Sequence, residues 1–333
     1  MRELAYLRPS DPADAVSLVA NDPDARFLGG GTNLVDHLKL GVATPGTLVD
    51  VSHLPLDALE EHDGGLLVGA NVRNSDLAAD RRVRTGWPVL SRALLSGASG
   101  QIRNQATTAG NLLQRTRCVY FLDVTTPCNK REPGSGCSAA EGYGRYNAIL
   151  GAGPACVTVH PSDLAVGLVA VDATVVVLGP DGERRVPAAD LHRLPGDDAA
   201  RDTVLGHGEL ITAVELPRSA HARTSTYVKV RDRASFAFAL VSVAVAIDRA
   251  EDGTVRDLRI VWGGVAHKPW RATRAEDALR GRPLTEAGVR DAAEAELDQA
   301  RPTAGTEYKP AMVRNATALA FRRLVPDLAE EAR

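Results

Sequence analysis

The sequence has no run of 18 uninterrupted apolar residues, no surplus of basic charge and no cysteine outside one short window. Each absence removes a class of protein. Without a long apolar run there is no transmembrane-helix candidate. The opening MRELAYLRPSD lacks the basic-then-apolar pattern of a secretory signal. The chain is therefore expected to be soluble, and cytoplasmic unless a signal-bearing partner carries it to the periplasm. Lys and Arg total 39 against 42 Asp and Glu, a net charge of −3. That balance gives no electrostatic footprint for nucleic acid and none for a membrane surface. Neither a G-x-S-x-G elbow nor an H-E-x-x-H helix occurs, so no catalytic residue is nominated. What remains is 333 residues, 44% hydrophobic, enough for two or three compact domains.

The four cysteines, Cys118, Cys128, Cys137 and Cys156, are spaced C-x9-C-x8-C-x18-C. A pair of disulfides is disfavoured in a chain without an export signal, because the cytosol keeps thiols reduced. Structural zinc prefers close pairs, and the commonest iron-sulfur spacings are also short, so spacing alone leaves zinc, a cluster and free thiols open. Four thiols with no fifth, on a Gly- and Pro-rich loop too long to lack an organising centre, favour a metal or cluster over free thiols. In that reading the amides near Gly134 and Gly136 face cluster sulfurs, and Lys130 and Arg131 balance the charge.

The first segment alternates strands at 4–7, 26–28 and 47–51 with helices at 12–20 and 32–40, the second capped by Thr32 or Asn33 and stopped by Gly41. Gly29-Gly30-Gly31 lies at its centre. Glycines between a strand and a helix let backbone amides approach a diphosphate. The loop is neither the G-x-G-x-x-G fingerprint nor a P-loop, and a tight turn is an equal reading. Further strands are expected at 66–72, 173–178 and 210–216, a short helix near Ser75, helices at 88–95 and 161–171, and a turn at Pro180-Asp181-Gly182. Residues 97–117, SGQIRNQATTAGNL at their heart, read as a second small-residue loop able to meet phosphate. A boundary falls near 220. Strands at 227–230, 239–247 and 258–261 and helices at 273–279, 286–300 and 311–324 then indicate an α+β C-terminal domain.

Together, LGGGTNL, GQIRNQATTAGNL and His160-Pro161-Ser162-Asp163-Leu164 resemble the FAD-binding medium subunit of the xanthine dehydrogenase and carbon monoxide dehydrogenase family of molybdenum hydroxylases. RTRCVYFLDVTTPCNKREPGSGC, KVRDRASFAFALVSVA and GGVAHKPWR more narrowly resemble the flavin subunit of three-subunit periplasmic aldehyde oxidoreductases. The resemblance implies an FAD-binding domain of the vanillyl-alcohol oxidase-like (PCMH) type in two α/β subdomains, 1–55 and 56–220, followed by a C-terminal domain at 221–333. The cysteine insertion, about 114–157, would carry a [4Fe-4S] cluster on Cys118, Cys128, Cys137 and Cys156. FAD would meet Arg26, Phe27, Leu28, Gly29, Gly30, Gly31, Thr32, Asn33 and Leu34, with further contacts from Thr108, Gly110 and Asn111. By the same resemblance Asp163 holds the adenosine or ribityl side, Ile211 packs near the flavin ring and Lys229 reaches the ring's polar edge. Asp163 as a helix-start residue, Ile211 as strand core and Lys229 as a solvated side chain are the ordinary alternatives. Ala109 stands where the family has glycine, which puts its amide in doubt as a contact.

The implied partners are a large molybdopterin cytosine dinucleotide subunit, where aldehyde is oxidised, a small subunit with two [2Fe-2S] clusters, and an external electron acceptor. A stand-alone FAD oxidase, a zinc-stapled interaction module and a xanthine- or CO-type flavin subunit are the competing readings.

Overall fold

The computed structural model describes residues 3–329. The first unit is a small parallel sheet of β1 (Ala5–Leu7), β2 (Ala25–Leu28) and β3 (Thr47–Asp50) in the order β1-β3-β2. Parallel neighbours require crossover connections, and helices supply them. Helix Pro12–Ala20 begins where Asp11 accepts a hydrogen bond from the Asp14 amide and Pro12 occupies the first turn. Helix Leu34–Leu40 stops at Gly41, whose φ of 73° suits glycine.

The second sheet is antiparallel and holds β4 (Leu59–His62), β5 (Gly65–Gly69), β6 (Thr174–Gly179), β7 (Gly182–Pro187) and β8 (Leu210–Leu216), ordered β4-β5-β8-β6-β7. The sequence reading omitted β4 and β7. Both are edge strands whose side chains are mostly exposed and charged, Leu-Glu-Glu-His and Gly-Glu-Arg-Arg-Val-Pro, so neither carries an apolar signal. The expected turn at Pro180-Asp181 is the hairpin that pairs Gly179 with Gly182. Helices Pro88–Ser96 and Asp163–Ala170 share one apolar core with this sheet.

The third sheet, β9 (Ser225–Val230), β10 (Val241–Arg249), β11 (Val255–Gly263) and β12 (Trp270–Arg271), is buried on both faces. The interior strand β10 shows why. Val241, Val243, Val245 and Ile247 join the core under the C-terminal helices Glu286–Leu297 and Lys309–Leu324, while Ala244, one residue out of phase, joins the core of helices Pro88–Ser96 and Asp163–Ala170. Small residues on that second face let a helix lie close. A Cβ on Gly263 would run into Ser242 and come 2.7 Å from Val166 Cγ2. This sheet therefore joins the C-terminal part to the rest through packing, not through a linker alone.

Residues 97–117, expected as loop, contain two short helices, Gly100–Gln105 and Thr108–Leu112. Ser99 accepts from the Ile102 amide and Thr107 from the Gly110 amide. The small polar residues that suggest a loop are here acting as caps.

Lys309 ties the C-terminal helix to the centre of the molecule. It is wholly buried, and its ammonium donates to the carbonyls of Asn147 and Gly264, each at 2.7 Å. Burial pushes its pKa down to about 7. Replacing Lys309 by Met strands both carbonyls. We expect a loss of about 2–4 kcal/mol in stability, measured by urea denaturation.

Candidate functional site

A cleft of about 560 Å³ opens on the third sheet, walled by the end of the first glycine loop, the 97–118 segment, residues 158–164 and the 229–242 segment. Its geometry starts from one close approach. A Cβ on Gly30 would collide with the carbonyl oxygen of Gln105 and lie 3.2 Å from Ala106 Cα, so the two small-residue segments touch backbone to backbone. Gln105 Nε2 returns a hydrogen bond to the Gly30 carbonyl at 3.2 Å. Gly31, at φ 74°, turns the chain so that Thr32 and Asn33 reach the cleft.

Of the residues expected to meet FAD, the structure brings Thr32, Asn33, Gly110, Asn111, Asp163 and Lys229 together as cleft lining. Asn33 does not cap its helix through its side chain. Its Oδ1 instead accepts the Arg115 amide at 3.1 Å, holding the glycine loop against the segment beyond. Asn111 Oδ1 accepts the Ser162 hydroxyl at 2.6 Å. The remaining expected residues stand behind this lining. Arg26 donates to the carbonyls of Pro23 and Ala25, and Phe27 packs on the core of the first sheet. Leu28 and Gly29 lead into the turn, and Leu34 opens the helix beyond it. Thr108 is buried with its hydroxyl committed to the Val72 carbonyl, and the Ala109 amide is taken by Ala70. Ile211 is a core residue of the five-stranded sheet, 1% exposed, and does not line the cleft. The plain strand-core alternative describes its surroundings.

At the floor, Asp163 is held by Lys229 Nζ at 2.7 Å and by the Tyr227 hydroxyl at 2.6 Å. Both ends of the Lys229–Asp163 pair are nearly sealed, with side chains 3% and 8% exposed. Burial, then the Asp163 charge, raises the Tyr227 pKa well above its usual value, so Tyr227 remains a donor. Gly97 packs tightly against this floor, since a Cβ there would lie 3.1 Å from Asp163 Oδ2. Two lining residues carry buried polar atoms with no partner, Asn74 Oδ1 and His160 Nε2. A native structure rarely strands such atoms, so a polar ligand in the cleft fits them. Sequence reasoning missed Asn74, which carries no motif. His160 stood within a quoted motif, and Tyr227 just ahead of one, without a role.

The four cysteines converge on a second, much smaller cavity of about 10 Å³, room for about one water. All four are free thiols, Cys128 and Cys156 buried and the other two half-buried. Cys137 and Cys156 share a hydrogen bond that lowers the first thiol's pKa and raises the second's. Amides of Tyr120 and Phe121 point to Cys118, those of Ala139, Val157 and Ala140 to Cys137, and that of Thr158 to Cys156. The expected amide donors are otherwise engaged. Gly134 and Gly136 both donate to Asn129 Oδ1, at 3.1 and 2.9 Å. Arg131 is spent on the carbonyls of Tyr120, Phe121 and Thr126, and Lys130 is buried against Asp202 at 2.5 Å. Among the described residues no group of three or more His, Cys, Asp or Glu is arranged around a single-ion site. The donor set suits a four-thiolate centre, but seating one requires the thiols to part.

Two outcomes follow from this geometry. Gly30→Ala forces the two loops apart, at a cost of about 1–3 kcal/mol measured by chemical denaturation. Burial also holds His37 and His192 at pKa values of about 4 and His267 at about 3, and pushes His160 well below the usual histidine value. These bases fold neutral and gain protons more readily when unfolded. Their contribution is complete above about pH 6.5 and is lost as pH falls toward 4. The melting midpoint should drop by about 5–10 °C over that window, and an unchanged midpoint contradicts the burial account.

Comparison with known proteins agrees with the geometry. Residues 2–219 match the family described as the FAD binding domain in molybdopterin dehydrogenase, and residues 226–324 the CO dehydrogenase flavoprotein C-terminal domain. The chain is 52% identical over 281 residues to the aldehyde oxidoreductase FAD-binding subunit PaoB of Escherichia coli, covering 84% of this chain and 86% of that one. It is 28% identical to the glyceraldehyde dehydrogenase medium chain of Sulfolobus acidocaldarius, covering 97% of this chain and 98% of that one. Among solved structures, carbon monoxide dehydrogenase from Hydrogenophaga pseudoflava, in a form lacking the Mo-pyranopterin moiety, superposes with a TM-score of 0.75 at 25% identity over 96% of both chains. The chain therefore belongs to the FAD-binding medium subunits of the xanthine dehydrogenase family, components of molybdenum-hydroxylase oxidoreductases.

Proposed function

We propose that this chain is the electron-transfer subunit of a three-subunit aldehyde oxidoreductase. Aldehyde is oxidised on a large molybdopterin cytosine dinucleotide subunit, and electrons arrive through a small subunit with [2Fe-2S] clusters. An external acceptor then takes them. The observation that carries the reading is the cleft itself, which is built by both family-matched regions and lined by unsatisfied buried polar atoms. Bound FAD supplies a centre that exchanges one or two electrons.

The chain's own residues then have distinct tasks. Thr32, Asn33, Gly110 and Asn111 line the phosphate and ribityl end, and Gly29, Gly30 and Gly31 keep the backbone slim enough for the approach. Asp163 and Lys229 present a fixed polar floor, while Arg26, Phe27, Leu28, Leu34, Thr108 and Ile211 act from behind as scaffold. The three units are read as 1–55, 56–220 and 221–333. No side chain is nominated as a base for substrate chemistry, which disfavours a stand-alone oxidase. The 52% relative favours aldehyde over xanthine, whose E. coli flavin-subunit relative is 26% identical.

We further assign a [4Fe-4S] cluster to Cys118, Cys128, Cys137 and Cys156. Four converging free thiols, each of three receiving backbone amides, support it. The test is an absorption spectrum of the anaerobically purified chain, separated from its co-purifying subunits, with flavin and metals quantified. About one FAD and about four irons per chain are expected. Zinc without a yellow chromophore contradicts the proposal.

A further inference from the structure

Thr116, Cys118 and Thr158 line both the large cleft and the four-cysteine cavity, so one layer of side chains divides the two. That layer is hydrogen-bonded through. The Cys118 amide donates to Thr116 Oγ1 at 3.2 Å, the Thr116 and Thr158 hydroxyls bond to each other, and Thr158 lines the cysteine cavity together with Cys156. Thr116 and Thr158 are 4% and 5% exposed, so water offers their hydroxyls no ready substitute.

A second connection runs beside the first. Asn33, on the cleft, accepts the Arg115 amide at 3.1 Å, and Arg115 Nε meets Asp202 at 2.6 Å. The other oxygen of Asp202 takes the buried Lys130 ammonium, two residues beyond Cys128. Residues 156–163 complete the link, running from the Cys156 thiol along the cleft wall to the Asp163 floor.

We propose that occupancy of the cleft and the state of the four-cysteine centre are coupled through the Thr116–Thr158 wall. FAD in the cleft covers Cys118 and keeps the wall in place. The closed centre, in turn, holds the surface against which FAD packs. The inference rests on the flavin reading above and gives the cysteine insertion a task within it, flavin retention, whether or not the insertion also carries electrons. Coupling of this kind is reciprocal, and a factor of about ten in affinity is typical. If the cysteines served only to staple their own loop, flavin binding would leave them unaffected.

The test uses the full chain with the subunits that co-purify with it, handled anaerobically, with FAD bound and with FAD stripped. Iodoacetamide modification is followed at each cysteine by mass spectrometry, and iron release to a chelator is followed in parallel. Stripping FAD should accelerate Cys118 modification or iron release about tenfold, and adding FAD back should restore the slow rate. Thr158→Val should erase that difference and weaken FAD binding about tenfold, read by fluorescence quenching. Rates that agree within about twofold with and without FAD in the unsubstituted protein overturn the coupling while FAD binding stands. Protein that takes up no FAD overturns the flavin reading itself.

Discussion

Between Gly30 and the backbone of Gln105 and Ala106 there is no space for even a methyl group, and the cleft is arranged around that contact. With the two segments pressed together, the turn at Gly31 has one direction in which to send Thr32 and Asn33. The Gln105 side chain and carbonyl are both engaged, the first on Gly30 and the second by the Arg73 guanidinium, so the contact is clamped from both sides. Any side chain at position 30 would separate the first parallel unit from the short helices that follow the second sheet's β5. The cleft would lose the wall they share.

The opposite side of the cleft depends on the third sheet. Its small-residue face admits helix Asp163–Ala170 so closely that Asp163, in the helix's first turn, meets Tyr227 and Lys229 of β9. Separating a buried ion pair by removing one partner costs about 3–5 kcal/mol. The pair therefore fixes how the two family-matched regions sit, as well as supplying a polar surface. A tight backbone contact on one side and a buried charge pair on the other give a cleft whose walls are set before any ligand arrives. The histidines nearby are consistent with that rigidity, being held neutral by desolvation, with the rings of His160 and His192 tilted at 45° and 4.0 Å apart between centroids.

Much of this was legible in the sequence, for physical reasons that differ by element. Helix Pro12–Ala20 is readable to the residue because cap, proline and apolar spacing agree, whereas helix Thr273–Leu279, which has neither a side-chain cap nor a proline, is read from its apolar spacing alone. Edge strands β4 and β7 are not, because an exposed charged strand has no period to detect. At the site, six expected residues line the cleft, and their signal was glycine-rich spacing and a resemblance carried by long motifs. Thr108 and Ile211 carry the right chemistry but turn it inward, and which way a side chain points is decided by packing that a single sequence does not contain. For the same reason the Gly134 and Gly136 amides, free by sequence, are claimed by Asn129. The wall shared by the cleft and the cysteine cavity joins residues 42 positions apart, Thr116 and Thr158, and only folding brings them together.

The central claim is that FAD occupies this cleft, and hydrogen-deuterium exchange of the chain with and without FAD tests it most directly. Added protection should concentrate in residues 29–34, 97–118, 158–164 and 229–242, the segments that form the cleft and its glycine turn. Bound FAD that leaves those segments unprotected, or protects a different face, contradicts the account.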